Sequence, residues 1–384
     1  MLPQPTMQPQ AAPRPAMQRW LGRVLAGLGL CTAASLSAQP APPVFTIRAG
    51  DLFGLIDAQG KQLLPAEFVE ITLGDPLILV RKGQRTAYFD ASGRMVIEPQ
   101  DKLTRPFANG LTPAPGKDAQ GRLRWGYVDV QQRPVIAPAF DHVEPFADGL
   151  AVVGLADAWG ALKFGVIDRS GKRVIEATHD KLLAPSGGLV RSESRERTHR
   201  VFDAQGRDIT PQGIDFVGIT SEGLVRVWAG RKQGFMTTTG ELRVPPRFEQ
   251  ASDFHEGRAR VWVAGKTGYI DAKGDMLIAP QYETAEDFSD GLALVRLDGR
   301  SLFIGPNGQT LLQPDVERAW PFTQGLAAVR VAGKHGYINK QGRTVIEPQY
   351  SFARPFHQGL AYVGQGRMSG YIRPDGSFVW RSAP

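Results

Sequence analysis

Apolar residues in this chain come in runs of four to six, with polar residues alternating inside the runs and turn residues between them, and the arrangement recurs about every 34 residues. One register position makes the recurrence readable: an apolar residue five places before a turn glycine, as in GYIDAKG from Gly268 and GYINKQG from Gly336. It falls at Leu55, Tyr88, Tyr127, Val166, Val201, Phe235, Tyr269, Phe303, Tyr337 and Tyr371. These ten copies are separated by 33, 39, 39 and 35 residues and then by 34 five times. A fixed period of this size marks an array in which no unit can bury its own apolar face and each is completed by its neighbours. Each period shows three apolar stretches, as in GLALVRLDG, SLFIGPNGQTLLQP and the GLAAVRVAGKHGYINKQGRTVIEPQY that follows. Runs of that length, spaced about 11 residues apart and bounded by turn residues, predict three β-strands per repeat and an all-β chain.

The turn signals have separate mechanisms. Between the second and third predicted strands stands D-x-x-G or a relative, with its glycine at Gly60, Gly93, Gly171, Gly206, Gly240, Gly274, Gly308, Gly342 and Gly376. An Asx side chain bonds the turn backbone and glycine accepts positive φ, so the motif predicts a tight hairpin. A proline recurs after the third stretch, at Pro99, Pro138, Pro246, Pro280, Pro314 and Pro348, and is expected to end ladder pairing because it has no N–H. Next comes a phenylalanine three residues ahead of a glycine: Phe107/Gly110, Phe146/Gly149, Phe254/Gly257, Phe288/Gly291, Phe322/Gly325 and Phe356/Gly359. The phenylalanine is read as a plug between successive repeats and the glycine as the opening of the next strand.

Composition changes the picture mainly at the N-terminus. The chain has 384 residues with 44 Gly and 29 Pro, turn-rich but too regular in its apolar pattern to be disordered. Residues 1–38 hold Arg14, Arg19 and Arg23, no acidic residue, and an apolar run over 24–36 that gives way to Ser37 and Ala38. This reads as a secretory signal peptide cleaved near Ala38, with Met17 as an alternative start. The run is too short and too glycine-punctuated to be a good membrane span. Its Cys31, the one cysteine of the chain, follows Leu30, a poor context for lipoprotein acylation. The QPAPP of 39–43 reads as a stiff linker, and 44–384 as the repeat array, irregular over 44–231 and regular over 232–384. A mature chain of this kind is expected in the periplasm or outside the cell, without disulfides and without a transmembrane segment. Leaving out the three signal arginines lowers the formal charge from +7 to +4, too weak and too dispersed for nucleic acid.

Taken together these features resemble the WG-repeat family over residues 44–380, with its aromatic-G-[YF]-I-D-x-x-G core, its V-I-P-P-x-Y strand and its F-x-x-G-L-A-x-V strand. The Trp-Gly pair is literal at Trp125-Gly126, and Phe53-Gly54 and Phe164-Gly165 are aromatic variants. Elsewhere Gln233, Thr267, His335 and Ser369 occupy the tryptophan position; HRVFDAQG lacks the glycine as well, and Gly305 takes an Asp slot. The resemblance implies β-strand repeats, bacterial export or surface placement, and interaction roles, and it supplies no catalytic residue. A propeller normally needs four strands per blade and closes with roughly 4–8 blades. Three strands and ten copies therefore predict an open, solenoid-like superhelical array of three-stranded antiparallel meanders, the alternative being a closed propeller-like ring.

No reaction centre is evident. The six histidines never fall in metal-ligand spacing, and the D-x-[DN]-x-[DN]-G calcium loop, the P-loop and the nucleophile elbow are missing, so neither metal nor cofactor is expected. His142 and His179 are read as solvated turn residues. Function is sought where copies differ: at 112–124, at 154–163 with Trp159, and in RSESRERTHR at 191–200. Trp159, Arg191, Arg195 and Arg197 form the candidate binding patch. The sequence thus points to an exported, non-catalytic scaffold that binds a protein partner at the bacterial cell envelope. The alternative is a glycan or peptidoglycan module using Trp159, Trp228, Trp262 and Trp320, and a hydrolase with no visible site is the remote third. Mass spectrometry of the protein expressed in a Gram-negative host is expected to find a mature N-terminus near Gln39. An intact chain beginning at Met1 or Met17 refutes the export reading.

Overall fold

The computed structural model describes residues 42–101, 104–193 and 199–382. The predicted signal peptide lies outside the described residues, and so do Arg195 and Arg197. All regular structure among the described residues is β-strand, and no helix is long and apolar enough to cross a membrane. The strands form ten antiparallel sheets in chain order, here called blades 1 to 10: residues 44–68, 70–100, 111–140, 142–179, 182–202, 216–248, 250–282, 284–312, 318–350 and 352–381. Seven blades have four strands, and blades 1, 3 and 5 have three. The extra strand is short, as at Gln250–Ala251, Thr284–Ala285 and Phe352–Ala353, and it pairs with the strand after the Phe-x-x-Gly segment.

At six seams one blade leans on its neighbour in the same way. The register aromatic of one blade meets the phenylalanine of the next: Tyr88 with Phe107, Tyr127 with Phe146, Phe235 with Phe254, Tyr269 with Phe288, Phe303 with Phe322 and Tyr337 with Phe356, at ring separations of 4.7 to 5.1 Å. Such pairs contribute about 0.5–1.5 kcal/mol beyond the area they bury. Four of the tyrosines also donate their hydroxyl to a carbonyl of the next blade, at Arg105, Glu144, Glu286 and Arg354, over 2.7 to 2.8 Å.

The same contact joins the ends of the array. Tyr371 in blade 10 packs against Phe45 in blade 1 at 5.3 Å and donates to the Thr46 carbonyl over 2.9 Å, while Arg373 reaches the Gln59 carbonyl at 3.3 Å. Phe45, Ile47, Ile56 and Leu360 share one buried cluster. The array is therefore a closed ten-bladed propeller, and the open superhelix expected from the sequence is wrong. That expectation rested on three strands per repeat; the additional strand, which comes first in its blade, is often two residues long, too short to leave an apolar run. Blade 1 begins with its own strand, Val44–Ala49, and blade 10 ends with its own, Phe378–Arg381, so the ring closes by packing and not by a shared sheet.

The glycine that precedes the register residue has a steric cause. In blade 7 Thr267 pairs with Tyr282 and Tyr269 with Ile278, so two extra residues of the fourth strand bulge outward at Ala279 and Pro280. A Cβ on Gly268 would lie 2.5 Å from the Ile278 carbonyl oxygen and 2.7 Å from Pro280 N. Blades 1, 3, 4, 6 and 9 have a glycine at this position and the same two-residue bulge. Blade 2 has Ala87 there, with a bulge of one residue, and blade 8 has Leu302, with a fourth strand of only Thr310–Leu312. Five of the six recurrent prolines sit inside the fourth strand at this bulge, so they interrupt the ladder without ending it, contrary to expectation.

The D-x-x-G glycines set the spacing between blades. Gly274 has φ +89, and a Cβ there would stand 2.9 Å from a Val244 methyl of the preceding blade; Gly93 has φ +84 and approaches the Leu63 carbonyl. Gly60, at φ +87, makes the same approach across the seam to the carbonyl of Val379. Gly274→Val is expected to destabilise by about 1–3 kcal/mol from backbone strain alone. Gly60→Val should cost at least as much by urea denaturation, because the ring places blade 10 against it. A Gly60→Val midpoint close to wild type, beside a clear loss for Gly274→Val, would show the seam to be open.

Candidate functional site

An antiparallel blade sends its turns alternately to the two faces of the ring. The short turn between the first and second strands and the D-x-x-G turn share one face; the turn between the second and third strands and the link to the next blade share the other.

On the first face, the residue before the turn glycine has positive φ and accepts a hydrogen bond from the next blade's turn. Glu222 takes the N–H groups of Glu256 and Gly257 at 2.7 and 2.8 Å, Glu256 that of Gly291 at 2.9 Å, Asp290 that of Gly325 at 2.5 Å and Gln324 that of Gly359 at 2.9 Å. Asn109 to Gly149 and Asp148 to Gly188 are longer versions at 3.3 Å. These carboxylate and amide side chains are occupied in holding blades together. The glycines of the Phe-x-x-Gly segments therefore donate between blades as well as shaping turns, a role missed in the sequence because the acceptor lies about 35 residues away.

The second face distinguishes the blades. Seven of them turn from second to third strand with two residues, as at Ala264-Gly265 and Ala332-Gly333. Blades 3 and 4 use five, at 118–122 and 157–161, while in blade 5 the ladder ends at the Glu193–His199 pair, with the residues between them outside the described ones. The three irregular segments noted in the sequence thus occupy one topological position on three consecutive blades. In the first two loops Asp118 and Asp157 accept N–H groups two and four residues ahead, which fixes the loop as an Asx turn. Trp159 stands at the tip of blade 4's loop, 93% exposed, with Leu162 behind it; Leu123 holds Leu162's place on blade 3 and is 77% exposed.

Asp141, in the link between blades 3 and 4, ties the two hairpins together. One oxygen pairs with Arg124 of blade 3 and the other accepts the Ala156 N–H of blade 4 at 2.9 Å. Lys163 of blade 4 reaches Asp180 in the next link at 2.5 Å. Arg191 lies half-buried in Leu189–Glu193 at the base of the third hairpin, so of the candidate patch the structure places Trp159 and Arg191 on neighbouring blades. The 112–124 segment is mostly strand and not a dispensable insertion: Thr112 is buried, and its hydroxyl bonds the Arg105 carbonyl. Trp228, Trp262 and Trp320 are half-buried under Arg226, Arg260 and Arg318, at 4.8, 5.5 and 4.9 Å, and do not form an exposed aromatic row.

Both histidines read as turn residues lie in strands. His142 bonds Glu144 at 2.7 Å and meets Phe164 edge-on; His179 ends the strand Arg173–His179 against Phe202. Burial and the nearby Arg200 lower the His179 pKa. Among the described residues no group of three His, Cys, Asp or Glu could hold a metal ion.

Residues 125–159, 234–266, 268–300, 303–334 and 336–367 match the family described as WG containing repeat. The chain is a WG-repeat protein. No curated protein sequence matches it. Among solved structures, one titled as the eukaryotic initiation factor is 12% identical, covering 89% of this chain and 96% of its own, with a TM-score of 0.46. Hsv2p of Kluyveromyces lactis is 10% identical over 61% of this chain and 92% of its own, with a TM-score of 0.31. AztD of Citrobacter koseri is 17% identical over 71% and 94%, with a TM-score of 0.28. None superposes well enough to inform function.

Four turns of the D-x-x-G type are expected to make the ring sensitive to acid. At Asp90, Asp129 and Asp203 burial alone would raise the carboxyl pKa, but hydrogen bonds from turn residues, Arg94, Arg133 and Arg207 among them, outweigh it and hold the pKa low. At Asp168 the Ser170 hydroxyl is the main cause of the same shift. A depressed carboxyl stabilises the fold above its unfolded pKa of about 3.9 and loses that contribution as pH falls through the folded value. Melting temperature should therefore drop steeply below pH ~4, and Asp203→Asn should be less stable at neutral pH but show a shallower acid decline.

Proposed function

We propose that this protein is an exported, non-catalytic scaffold that holds a partner protein of the bacterial envelope on the hairpin rim of blades 3 to 5. One observation carries the reading: the five-residue loops of the consecutive blades 3 and 4 fall at one position on one face, where the blade 5 ladder also ends, at Glu193 and His199. Scattered insertions would be tolerated on any blade, whereas a contiguous set forms a surface. The rim is apolar where it differs from the other blades, through Leu123, Trp159 and Leu162. A fully exposed indole flanked by leucines is suited to burial against a protein surface, where tryptophan is enriched among the residues that dominate affinity. Asp141 and Asp180 keep the hairpins in fixed relation, which lowers the ordering cost of binding. Export rests on the basic, then apolar, then small-residue order of 1–38.

The test shortens the loops at 118–122 and 157–161 to the Ala-Gly turn used by blade 7, combined with a third variant, Trp159→Ser. Cross-linking of purified protein in envelope extracts, with quantitative mass spectrometry, should show a protein enriched by wild type and depleted by all three variants, while β-content and melting stay the same. Equal enrichment by wild type and variants refutes the rim as the binding surface.

A further inference from the structure

The tryptophan position of the repeat marks a second site. In blade 3 Trp125 packs against the buried cluster of Phe140, Val143 and Phe146, with the Arg105 guanidinium 5.6 Å from its ring, and so fills the seam to blade 4. The equivalent residue of blade 6 is Gln233, whose Oε1 accepts the Ala251 N–H of blade 7 at 2.8 Å. An amide side chain cannot occupy an indole's volume, and a cavity of about 300 Å³ opens at this seam.

The cavity wall is polar. Arg260 is fully engaged, with bonds of 2.7 and 3.2 Å to Asp287 and one of 2.6 Å to the Ala285 carbonyl. Arg226 Nε and Asp253 Oδ1 form an ion pair at 3.3 Å, and the Arg226 guanidinium also bonds the Ala251 carbonyl. Beside the two ion pairs the wall carries the neutral polar residues Gln233, Gln250 and Ser252, which suit a group that can both accept and donate. Trp262 and Gln250 border this cavity and also a neighbouring recess of 560 Å³, which opens beside Arg231, Lys232 and Glu249 on the face that carries the hairpin rim. Small-molecule sites run from about 300 to 1,000 Å³ and combine an apolar or aromatic wall with a few placed polar groups.

The occupant must have a ring-sized body with an apolar face for an indole, and hydroxyls able to donate and accept around its edge. It has no need of strong charge, because the arginines and aspartates of the cavity are paired with each other. We propose that the seam between blades 6 and 7 binds a short oligosaccharide, one sugar in the space a tryptophan would fill and the next against Trp262 and Gln250. This site is separate from the hairpin rim, and either can fail without the other.

Isothermal titration with triacetylchitotriose, cellotriose and trigalacturonic acid, each against the wild-type protein, Gln233→Trp and Trp262→Ala, tests the proposal. At least one saccharide should bind wild type saturably, and both variants should weaken it ~10-fold or more, equivalent to about 1.4 kcal/mol. Gln233→Trp restores the indole of the repeat, so its melting temperature should equal or exceed wild type and its loss of binding cannot come from unfolding. Absence of binding by all three saccharides overturns the proposal, as does wild-type affinity in both variants. Binding of trigalacturonic acid alone, abolished by salt and indifferent to Trp262→Ala, overturns it too, since that would report only the charge of Arg231 and Lys232.

Discussion

The ring depends on a buried aromatic pair repeated from seam to seam. A register tyrosine or phenylalanine of one blade meets an aromatic ring of the next, and where it is tyrosine its hydroxyl reaches past to a backbone carbonyl. A single blade has little apolar surface of its own to bury, so this pair both excludes water from the seam and fixes the relative height of the two sheets. Burial raises the pKa of Tyr88, Tyr127, Tyr269 and Tyr337, as expected of phenols removed from water and kept neutral as donors. Blades 1, 4 and 5, with Leu55, Val166 and Val201 in the register position, fill their seams with mainly aliphatic clusters instead.

What could be read from the sequence was whatever repeats within a short window. The period, the all-β class and the phenylalanine between units all come from residues a few places apart. The additional first strand could not be read, because Thr284–Ala285 pairs through its backbone and two residues leave no alternation. Closure could not be read either: Phe45 and Tyr371 meet across more than 300 residues of chain, and neither looks different from its counterparts inside the array. The prolines misled for a related reason. Proline forbids one ladder bond, but a bulge at Ala279 and Pro280 absorbs that loss and lets Tyr282 rejoin the sheet.

The candidate sites divide along the same line. The irregular segments were visible as departures from the period, but their common position on three neighbouring blades appears only when strand pairing is known. Gln233 was visible as a missing tryptophan, yet the consequence of its smaller, polar side chain depends on Arg226, Asp253 and Trp262, which arrive from two blades. In a repeat protein the informative residue is thus the one that breaks the pattern, and its meaning lies across the seam.

The ring also closes without a latch. In many closed sheets the first and last strands share a blade, so that ends of the chain are locked into one ladder; here Tyr371 and Gly60 repeat contacts made at seams inside the array. The wedge angle of one unit, set by a glycine pressed against its predecessor, therefore dictates how many units complete the circle. Gain or loss of a whole repeat would leave a gap or an overlap with no spare strand to absorb it. Copy number in this protein is a geometric quantity, fixed by the fit of two neighbours and enforced on the whole chain at once.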